Sequence, residues 1–368
     1  MATVRLTMSQ ALTRWMTAQS IEQLDGSIEP AFAGVWAIFG HGNVAGLGEA
    51  LYGVRDQLPT YRGHNEQSMA HIAIAYAKQK QRRRMMAVTT SIGPGATNLA
   101  TAAALAHVNR LPVLLLPGDV FATRAPDPVL QQVESFADGT VSANDCLRPI
   151  SRYFDRITRP EQLLQALPKA MSVLTDPADC GPVTLGLCQD VQAEAWDYPE
   201  SFFAPRVWHM RRISPDAAEL SRAIEILKSA KRPVIVAGGG VRYSGASQAL
   251  TAFAETAGIP VAATQAGKSS LVEAHPMYVG SLGVTGASAA NNLAAKADVV
   301  LSVGSRLQDF TTGSNSLISG QVVALNVQPH DLVKHGAMPL MADALNGIEA
   351  LAAGMAGYRT DDAYQSEI

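Results

Sequence analysis

The sequence predicts an α/β protein built from two doubly wound domains with mainly parallel sheets. Several short runs are apolar throughout, as expected of strands that are buried on both faces of a parallel sheet. Longer segments with the spacing of helices separate these runs, so strands and helices alternate. The length of 368 residues exceeds what one hydrophobic core usually serves. Two domains are therefore expected.

The first domain is predicted over residues 1–191. Its predicted helices are Met8 to Gln19, Gly46 to Asp56, Glu66 to Gln79, one that opens after Ser91 to Gly95, and Pro160 to Leu174. Its predicted strands are Gly34 to Phe39, Thr60 to Arg62, Met85 to Thr90, Pro112 to Pro117, and Pro182 to Leu187. The segment Asp119 to Val141 is rich in Pro, Asp and Gln and is predicted to be a loop.

Residues 192–213 carry several aromatic side chains without a clear period and are predicted to be an ordered linker. The second, Rossmann-like domain is predicted over residues 214–358, followed by a tail at 359–368. Its first helix should be capped by Ser214 and have Pro215 at its first position. The remaining predicted elements are the strands Pro233 to Ala237, Pro260 to Thr264, Val299 to Val303 and Val322 to Val327, and the helices Gly245 to Ala257 and Ala287 to Ala297.

Composition excludes several classes of function. A net charge of -3 gives no basic field for nucleic acid, and the run Lys78 to Arg84 is expected to be a solvated helix end. Three cysteines without CxxC spacing favour a reduced, cytoplasmic protein. No apolar run is long enough to span a bilayer, so no membrane association is expected.

Glu66 is the first candidate for chemistry. It lies just before an Ala-rich helix, where free backbone N–H groups stabilise a carboxylate. On spacing alone Glu66 could simply cap its helix. A partly buried Glu is also a group whose pKa can be tuned for acid–base work.

Two further loops should lie near Glu66. Gly40-His41-Gly42-Asn43 and the segment Ser91 to Asn98 each follow a predicted strand, and ligands of doubly wound proteins bind at the carboxyl ends of the strands. We therefore expect His41, Glu66 and Asn98 to converge on one edge of one sheet. A turn histidine with only a structural role is the alternative for His41.

The second domain offers a weaker candidate. Gly238-Gly239-Gly240 and Gly304-Ser305-Arg306 follow strands and could cradle the phosphates of FAD or NAD. No GxGxxG fingerprint is present, which favours a packing role for these glycines. The sequence also contains no GxSxG, HExxH or P-loop motif.

Two motifs together resemble a known family, the thiamine-diphosphate enzymes related to acetolactate synthase. His64-Asn65-Glu66-Gln67 resembles the His-Glu-Gln segment of that family with one extra residue, and Ser91 to Asn98 resembles its Ser-Gly-Pro-Gly-Ala-Thr-Asn loop with Ile92 inserted. Other stretches are most similar to the hydrolases of this family that act in inositol catabolism: residues 63–67, 114–119, 126–132 and 189–196. The resemblance runs from about Leu6 to about His335.

The resemblance implies a cofactor, a reaction and roles for residues. Glu66 would hydrogen-bond the aminopyrimidine ring of thiamine diphosphate, and Pro94 and Asn98 match loop residues near that cofactor. The reaction would be the hydrolytic opening of a cyclic polyol dione to a deoxyglucuronate, in a homodimer or homotetramer. The candidates for contacts with substrate, by loop position only, are His41, Asn43, His64 and Asn65.

One departure from the family matters. Its members bind the diphosphate and Mg²⁺ through a C-terminal domain that carries Gly-Asp-Gly followed by Asn-Asn, and this sequence has no Gly-Asp-Gly. Asn291-Asn292 occurs without it, on a predicted helix. The expectation is a fragment that lacks the Mg²⁺ site and is inactive alone. An acetolactate synthase-like carboligase or decarboxylase, and a non-catalytic association or regulatory protein, remain alternatives.

Overall fold

The computed structural model describes residues 2–368 and divides into two compact units, one that ends at Met210 and one that spans Arg211–Ile368. Each unit contains a sheet of six strands, all parallel, with helices between them. The predicted α/β class with two parallel sheets is confirmed. No helix within residues 2–368 combines the length and apolar character that a bilayer crossing needs.

The first unit contains eleven strands and six α-helices. The strands are β1 (Thr3–Thr7), β2 (Gln19–Glu22), β3 (Ile28–Pro30), β4 (Phe32–Ala37), β5 (Thr60–Arg62), β6 (Met85–Thr90), β7 (Val113–Asp119), β8 (Tyr153–Ile157), β9 (Pro182–Cys188), β10 (Ala195–Pro199) and β11 (Arg206–Trp208). The helices are α1 (Met8–Thr17), α2 (Glu49–Gly53), α3 (Glu66–Gln79), α4 (Pro94–Thr97), α5 (Ala100–Asn109) and α6 (Leu163–Leu174). A π-helical turn (Val44–Gly48) precedes α2, and short 3-10 helices occupy Ala143–Ile150, Pro160–Gln162, Val191–Ala193 and Glu200–Phe203.

The main sheet of this unit has the strand order β5-β4-β6-β7-β9-β8. Every residue of β6, β7 and β9 is buried, because helices cover both faces of these central strands. Two small sheets lie outside it, β1 with β10 and β11-β2-β3.

The segment 192–213 differs from the predicted linker. It forms β10, which pairs antiparallel with β1, and β11, which pairs with β2. Its aromatic side chains join the first core: Tyr198 is fully buried, and the Phe202 ring stacks on Trp15 with centroids 6.0 Å apart. Partners distant in sequence produce these strands, so the local pattern does not reveal them.

The basic run at Lys78–Arg84 is also different from the expected solvated helix end. Arg82 and Arg83 are buried, and Arg83 donates to the backbone oxygen of Glu22 at 3.0 Å. Arg84 forms an ion pair with Glu29 at 3.0 Å. These arginines bind the turn between α3 and β6 to the rest of the unit.

The second unit contains six strands and eight α-helices. The strands are β12 (Pro233–Ala237), β13 (Val261–Ala263), β14 (Tyr278–Ser281), β15 (Val299–Val303), β16 (Gln321–Asn326) and β17 (Met338–Met341). The helices are α7 (Ala217–Ser229), α8 (Gly239–Tyr243), α9 (Ser247–Ala257), α10 (Ser288–Lys296), α11 (Asp309–Thr312), α12 (Pro329–Leu332), α13 (Ala344–Gly354) and α14 (Asp362–Glu367). A 3-10 turn occupies Lys334–Gly336.

Its sheet has the order β14-β13-β12-β15-β16-β17. The cap of α7 is Asp216, whose carboxylate accepts from two backbone N–H groups, and not the predicted Ser214. The predicted tail is ordered as well: α14 buries Tyr364, whose hydroxyl donates to the backbone oxygen of Pro233 at 3.0 Å. Tyr364 and the ion pair between Arg232 and Glu367 at 2.6 Å therefore anchor the last helix.

Candidate functional site

The carboxyl ends of β4, β6 and β7 meet at one edge of the first sheet, where glycines permit close approach. A Cβ on Gly40 would lie 2.2 Å from Ser91 Oγ, and one on Gly42 would lie 2.6 Å from Ile92 Cγ2. A Cβ on Gly118, near the end of β7, would lie 3.0 Å from the same Ile92 Cγ2. The residue inserted into the family-like loop is therefore a buried spacer among three strand ends.

Glu66 is the first residue of α3 and is half-buried. Its Oε2 accepts a hydrogen bond from the Asn98 amide at 2.8 Å. The helix is capped by Asn65, whose Oδ1 accepts from the Ser68 N–H at 2.9 Å. Since Asn65 performs the capping, the carboxylate of Glu66 remains available for another partner.

The second oxygen of Glu66 faces α4. A Cβ on Gly95 would lie 3.3 Å from Glu66 Oε1, so the absence of a side chain keeps this face of the carboxylate open. Gly93, just before α4, has φ +61°, a conformation that favours glycine. The backbone of this loop thus shapes a cradle beside the carboxylate.

His41 lies at the same edge and is half-buried. Its Nε2 is enclosed and has no hydrogen-bond partner among the described residues. Its backbone oxygen accepts from Gln189 Nε2 at 2.9 Å, and Gln189 Oε1 is likewise enclosed without a partner there. Sequence reasoning missed Gln189, because only the fold brings the residue after β9 to the loop after β4.

Asn43, a predicted substrate contact, has a structural role in this geometry. It is 1% exposed, and its amide donates to Thr89 Oγ1 and to the Thr90 backbone oxygen, both at 2.9 Å. Its Oδ1 accepts from the Gly40 N–H at 3.0 Å. Both amide hydrogens are committed, so Asn43 joins β4 to β6 and has none left for a ligand.

The other predicted site residues occupy the rim of this edge. His64 and Asn65 are exposed, and Asn65 is committed to its cap. Pro94 is exposed at the first position of α4, which fits its missing N–H. The expected meeting of Glu66 with Asn98 is observed as a direct hydrogen bond.

A second missed residue lies in the irregular loop 120–141. Gln131 has φ +65°, and its Oε1 accepts from Ser91 Oγ at 3.3 Å. A Cβ on Gly93 would lie 2.0 Å from the Gln131 backbone oxygen, so the loop presses directly on the glycine turn. The aperiodic sequence of this loop gives no signal for that contact.

Buried charges anchor this loop at its start. Asp119 is 1% exposed, and it accepts from Ser142 Oγ at 2.8 Å and pairs with Arg156 at 2.8 Å. Asp190 accepts from the N–H groups of Ala122 and Thr123 at 2.9 and 3.1 Å. Burial opposes ionisation of Asp190, yet the N–H donors hold its pKa below the usual value for Asp.

The neighbouring Cys188 does not provide a nucleophile. Burial, with a further contribution from the charge of Asp119, raises the pKa of its thiol to about 12. A thiol of that pKa stays protonated at neutral pH. Cys188 therefore acts as a packing residue.

The glycine run of the second unit makes the packing contacts that the sequence favours over a phosphate cradle. The Gly238 N–H donates to the Val303 oxygen at 2.8 Å, and the Gly240 N–H donates to the Gly304 oxygen at 3.0 Å. A Cβ on Gly240 would lie 2.6 Å from Gly304 Cα. The N–H groups of Gly238 and Gly240 are bonded to carbonyl oxygens, and the glycines allow the two backbones to pack closely. These two N–H groups are therefore not available to bind the phosphates of FAD.

Between residues 2 and 368, the structure contains no group of three or more His, Cys, Asp or Glu side chains placed to hold a metal ion.

Two family models match the chain. The model described as "Thiamine pyrophosphate enzyme, N-terminal TPP binding domain" matches residues 33–138, which include Glu66 and Asn98. The model described as "Thiamine pyrophosphate enzyme, central domain" matches residues 220–351.

Curated relatives match along nearly the whole chain. A protein of Geobacillus thermodenitrificans (strain NG80-2) named 3D-(3,5/4)-trihydroxycyclohexane-1,2-dione hydrolase is 50% identical over 369 residues, which is 100% of this chain and 57% of the relative. Proteins of the same name from Bacillus cereus (strain AH820) and Bacillus thuringiensis (strain Al Hakam) are 50% and 49% identical over 95% of this chain and 55% of their own length. The chain thus spans little more than half the length of these relatives.

Proposed function

The chain belongs to the thiamine pyrophosphate enzymes, and on that premise we propose that it supplies the aminopyrimidine side of a site that hydrolyses a carbon–carbon bond of 3D-(3,5/4)-trihydroxycyclohexane-1,2-dione. The product of this ring opening is a deoxyglucuronate. The observation that carries the proposal is the carboxylate of Glu66, held on one oxygen by Asn98 and open on the other beside Gly95.

The described residues fit one side of thiamine diphosphate. An aminopyrimidine ring nitrogen requires a carboxyl partner that is fixed in place yet reachable. Glu66 is half-buried and oriented by Asn98, and Gly95 leaves space for a flat ring next to it. We assign only the aminopyrimidine side of the cofactor to these residues.

When bound, thiamine diphosphate supplies a carbon nucleophile and an electron sink. The part of Glu66 is to share a proton with the ring nitrogen of the pyrimidine. Asn98 donates to Oε2, which directs the remaining lone pairs of the carboxylate toward Gly95. Ile92 excludes water from the strand ends behind this pair, because its side chain fills the space between Gly42 and Gly118.

The choice of substrate is supported by the relatives. Proteins that are 49–50% identical to this chain carry the name of the trihydroxycyclohexanedione hydrolase. An acetolactate synthase-like carboligase or decarboxylase uses the same cofactor and the same glutamate, so the Glu66 geometry alone does not separate these reactions. A non-catalytic association or regulatory protein is the alternative without chemistry.

One assay separates these functions. The intact protein is incubated with thiamine diphosphate and Mg²⁺, and ring opening of the cyclic dione is measured beside acetolactate formation from pyruvate. We expect ring opening and no acetolactate. Acetolactate formation would select the carboligase, and no turnover of either substrate would select the non-catalytic protein. The 368 residues alone, assayed in the same way, are expected to bind the cofactor weakly and to turn over neither substrate.

We also propose that the first unit associates with a second copy through α3 and α5. Most residues of α5 are apolar, yet the helix lies at the surface with Leu105 and Val108 41% and 51% exposed. Ile72 on the adjacent α3 is 46% exposed. A helix of this kind is expected to be covered by a partner.

The oligomeric state tests this surface. Leu105→Lys is expected to convert a dimer or tetramer into a smaller species in analytical ultracentrifugation, because a desolvated ammonium opposes association. Val272→Lys is the matched control, since Val272 is 75% exposed in the second unit. An unchanged sedimentation coefficient for Leu105→Lys would remove α5 from the interface.

A further inference from the structure

We propose that Asn43, Thr89 and Thr90 form a polar brace that positions the carboxylate of Glu66 for the aminopyrimidine ring of the cofactor. The inference rests on the proposed function and adds three positioning residues to it, which act through other residues and not by contact with the cofactor. The brace joins the loop after β4 to the end of β6, directly before the segment that faces Glu66.

The brace consists of hydrogen bonds that are closed to solvent. Asn43 is 1% exposed, and Thr89 and Thr90 are fully buried. The Asn43 amide donates to Thr89 Oγ1 at 2.9 Å, and the Thr89 hydroxyl donates in turn to the Leu116 backbone oxygen at 2.8 Å. Bonds linked in series strengthen one another in a low-dielectric interior. The adjacent strands β4, β6 and β7 are thereby joined at their carboxyl ends.

Strand packing alone does not require polar side chains at these positions. Thr89 and Thr90 end a strand whose six residues are all buried. Valine has the shape of threonine and would fill both positions without placing a hydroxyl in the interior, where an unpaired one costs free energy. The two hydroxyls therefore indicate a need for fixed geometry, which a fully satisfied polar network provides.

The brace fixes the start of the segment Ser91 to Asn98. The Asn43 amide also donates to the Thr90 backbone oxygen at 2.9 Å, and the Thr90 hydroxyl donates to the Ser91 backbone oxygen at 3.0 Å. On the opposite side, Asn43 Oδ1 accepts from the Gly40 N–H at 3.0 Å. A Cβ on Gly40 would overlap Ser91 Oγ, so Ser91 packs directly against the loop that Asn43 holds.

The same segment contacts both oxygens of the Glu66 carboxylate. Asn98 donates to Oε2 at 2.8 Å, and a Cβ on Gly95 would lie 3.3 Å from Oε1. Ser91 lies behind Gly95, since that Cβ would be 3.6 Å from Ser91 Cβ. A displacement of Ser91 would therefore move Gly95 relative to Glu66. Hydrogen bonds weaken steeply with distance and misalignment, so the position of this segment sets how well Glu66 meets a ring nitrogen.

A cofactor analogue tests the brace without any need for turnover. The affinity of the intact protein for thiamine diphosphate is measured by calorimetry beside that for an analogue in which a CH group replaces the pyrimidine ring nitrogen. The ratio of the two dissociation constants reports the contact between Glu66 and that nitrogen. For wild type we expect the analogue to bind at least about 10-fold more weakly, because a hydrogen bond to a charged group is lost.

Thr89→Val removes the hydroxyl that links the strands. The dissociation constant for thiamine diphosphate should rise about 10-fold and that for the analogue by less than about twofold, so the ratio should fall close to one. Thr89→Ser keeps the hydroxyl and should restore the wild-type ratio. Thr90→Val removes only the bond to Ser91 and should lower the ratio about threefold. This milder variant decides the question if Thr89→Val does not fold.

Thr184→Val is the matched control. Thr184 is fully buried near the start of β9 in the same sheet, and its hydroxyl is hydrogen-bonded to the Ser151 hydroxyl at 2.8 Å. Its replacement also removes one buried hydrogen bond of a strand threonine, so the melting temperature should fall about as much as in Thr89→Val. The ratio of the two affinities should stay at the wild-type value.

The outcomes separate this proposal from the proposed function. A wild-type ratio near one would refute the contact between Glu66 and the ring nitrogen, and both proposals would fail. A high wild-type ratio that Thr89→Val and Thr90→Val leave unchanged would overturn the brace alone. An equal fall of the ratio in Thr184→Val would also overturn it, because the effect would then be a general loss of stability. A fall confined to the brace variants, with rescue by Thr89→Ser, supports the positioning role.

Discussion

The carboxyl edges of the two sheets have the same strand architecture, but they differ in whether their polar groups are paired within the chain. In the first unit, the edge leaves Glu66 Oε1, His41 Nε2 and Gln189 Oε1 without partners among the described residues. In the second, the N–H groups of Gly238 and Gly240 are bonded to carbonyls of the adjacent strand end.

The difference shows that six parallel strands specify where a site can form but not whether one does. A glycine-rich strand end binds a ligand only if its polar groups are not already paired within the chain. The first edge uses glycines to leave space beside polar side chains. The second uses them to bring two backbones together.

The strongest test of this comparison is Glu66→Gln. A neutral amide cannot share a proton with the pyrimidine as a carboxylate does, so turnover at saturating thiamine diphosphate should fall about 10³-fold. Steady-state assays of the intact enzyme measure the effect. Glu49→Gln, at an exposed helix start in the same unit, is the control and should leave turnover unchanged. Near wild-type turnover of Glu66→Gln would refute the role of this carboxylate.

Whereas Glu66→Gln should lower turnover, Gly240→Ala should lower the stability of the second unit. The new Cβ would meet Gly304 Cα at 2.6 Å, and such overpacking costs about 3 kcal/mol. The four tryptophans all lie at or before residue 208. The urea midpoint by circular dichroism should therefore fall, while that by tryptophan fluorescence should not.

Gly53→Ala is the matched control for this stability test, since a Cβ at Gly53 meets nothing within 4 Å. It should change the free energy of unfolding by less than about 1 kcal/mol. A Gly240→Ala protein as stable as wild type would contradict the packing role of the second glycine run.

Gly95→Ala should affect the cofactor and spare the fold. Its Cβ would lie 3.3 Å from Glu66 Oε1, on the open face of the carboxylate. Affinity for thiamine diphosphate should drop about 10-fold, corresponding to about 1.4 kcal/mol. Calorimetric titration measures the affinity, and an unchanged melting temperature shows that the fold is intact. Unaltered affinity would mean that the ring does not occupy this face.

Asp190→Asn should have the smallest effect, by loosening the start of loop 120–141. Replacing the carboxylate weakens the bonds from Ala122 and Thr123 and should cost about 1 kcal/mol. Because the pKa of Asp190 is lowered in the folded state, its contribution is present above the usual pKa of Asp and is lost as pH falls through the lowered value. Wild type and variant should therefore begin to converge in urea midpoint below about pH 4 and should meet below the lowered pKa of Asp190. A constant difference at acid pH would exclude this carboxylate as the cause.

Sequence patterns located the inner strands of the main sheets, whereas the edge strands β8, β14 and β17 were missed. Thr60–Arg62, Glu66–Gln79 and Met85–Thr90 have the predicted bounds, and a capping Asn marks the start of the helix locally. The strands β1, β2, β10 and β11 were missed, because each is short and exists through a partner far away in the chain.

In the candidate site as well, features with a local sequence pattern were predicted and features that depend on distant contacts were not. The sequence predicts that the loops of Glu66 and Asn98 converge, because both lie in motifs with a recognisable pattern, and the structure adds the direct hydrogen bond between them. Asn43 looked like a ligand contact by loop position, yet its environment fully occupies its amide. Gln131 and Gln189 lie in stretches that carry the family resemblance, but no local pattern assigns them to this edge, since tertiary contacts alone bring them there.

The burial of the arginine run determines where a protease can cut. Trypsin should find the bonds after Arg82 and Arg83 shielded, although this is the densest set of basic residues in the sequence. Arg124 is exposed within the irregular loop 120–141 and is followed by Ala125. Limited digestion should therefore nick the loop that presses on the glycine turn first, and protection of this bond by thiamine diphosphate would serve as a label-free indicator that the site has been filled.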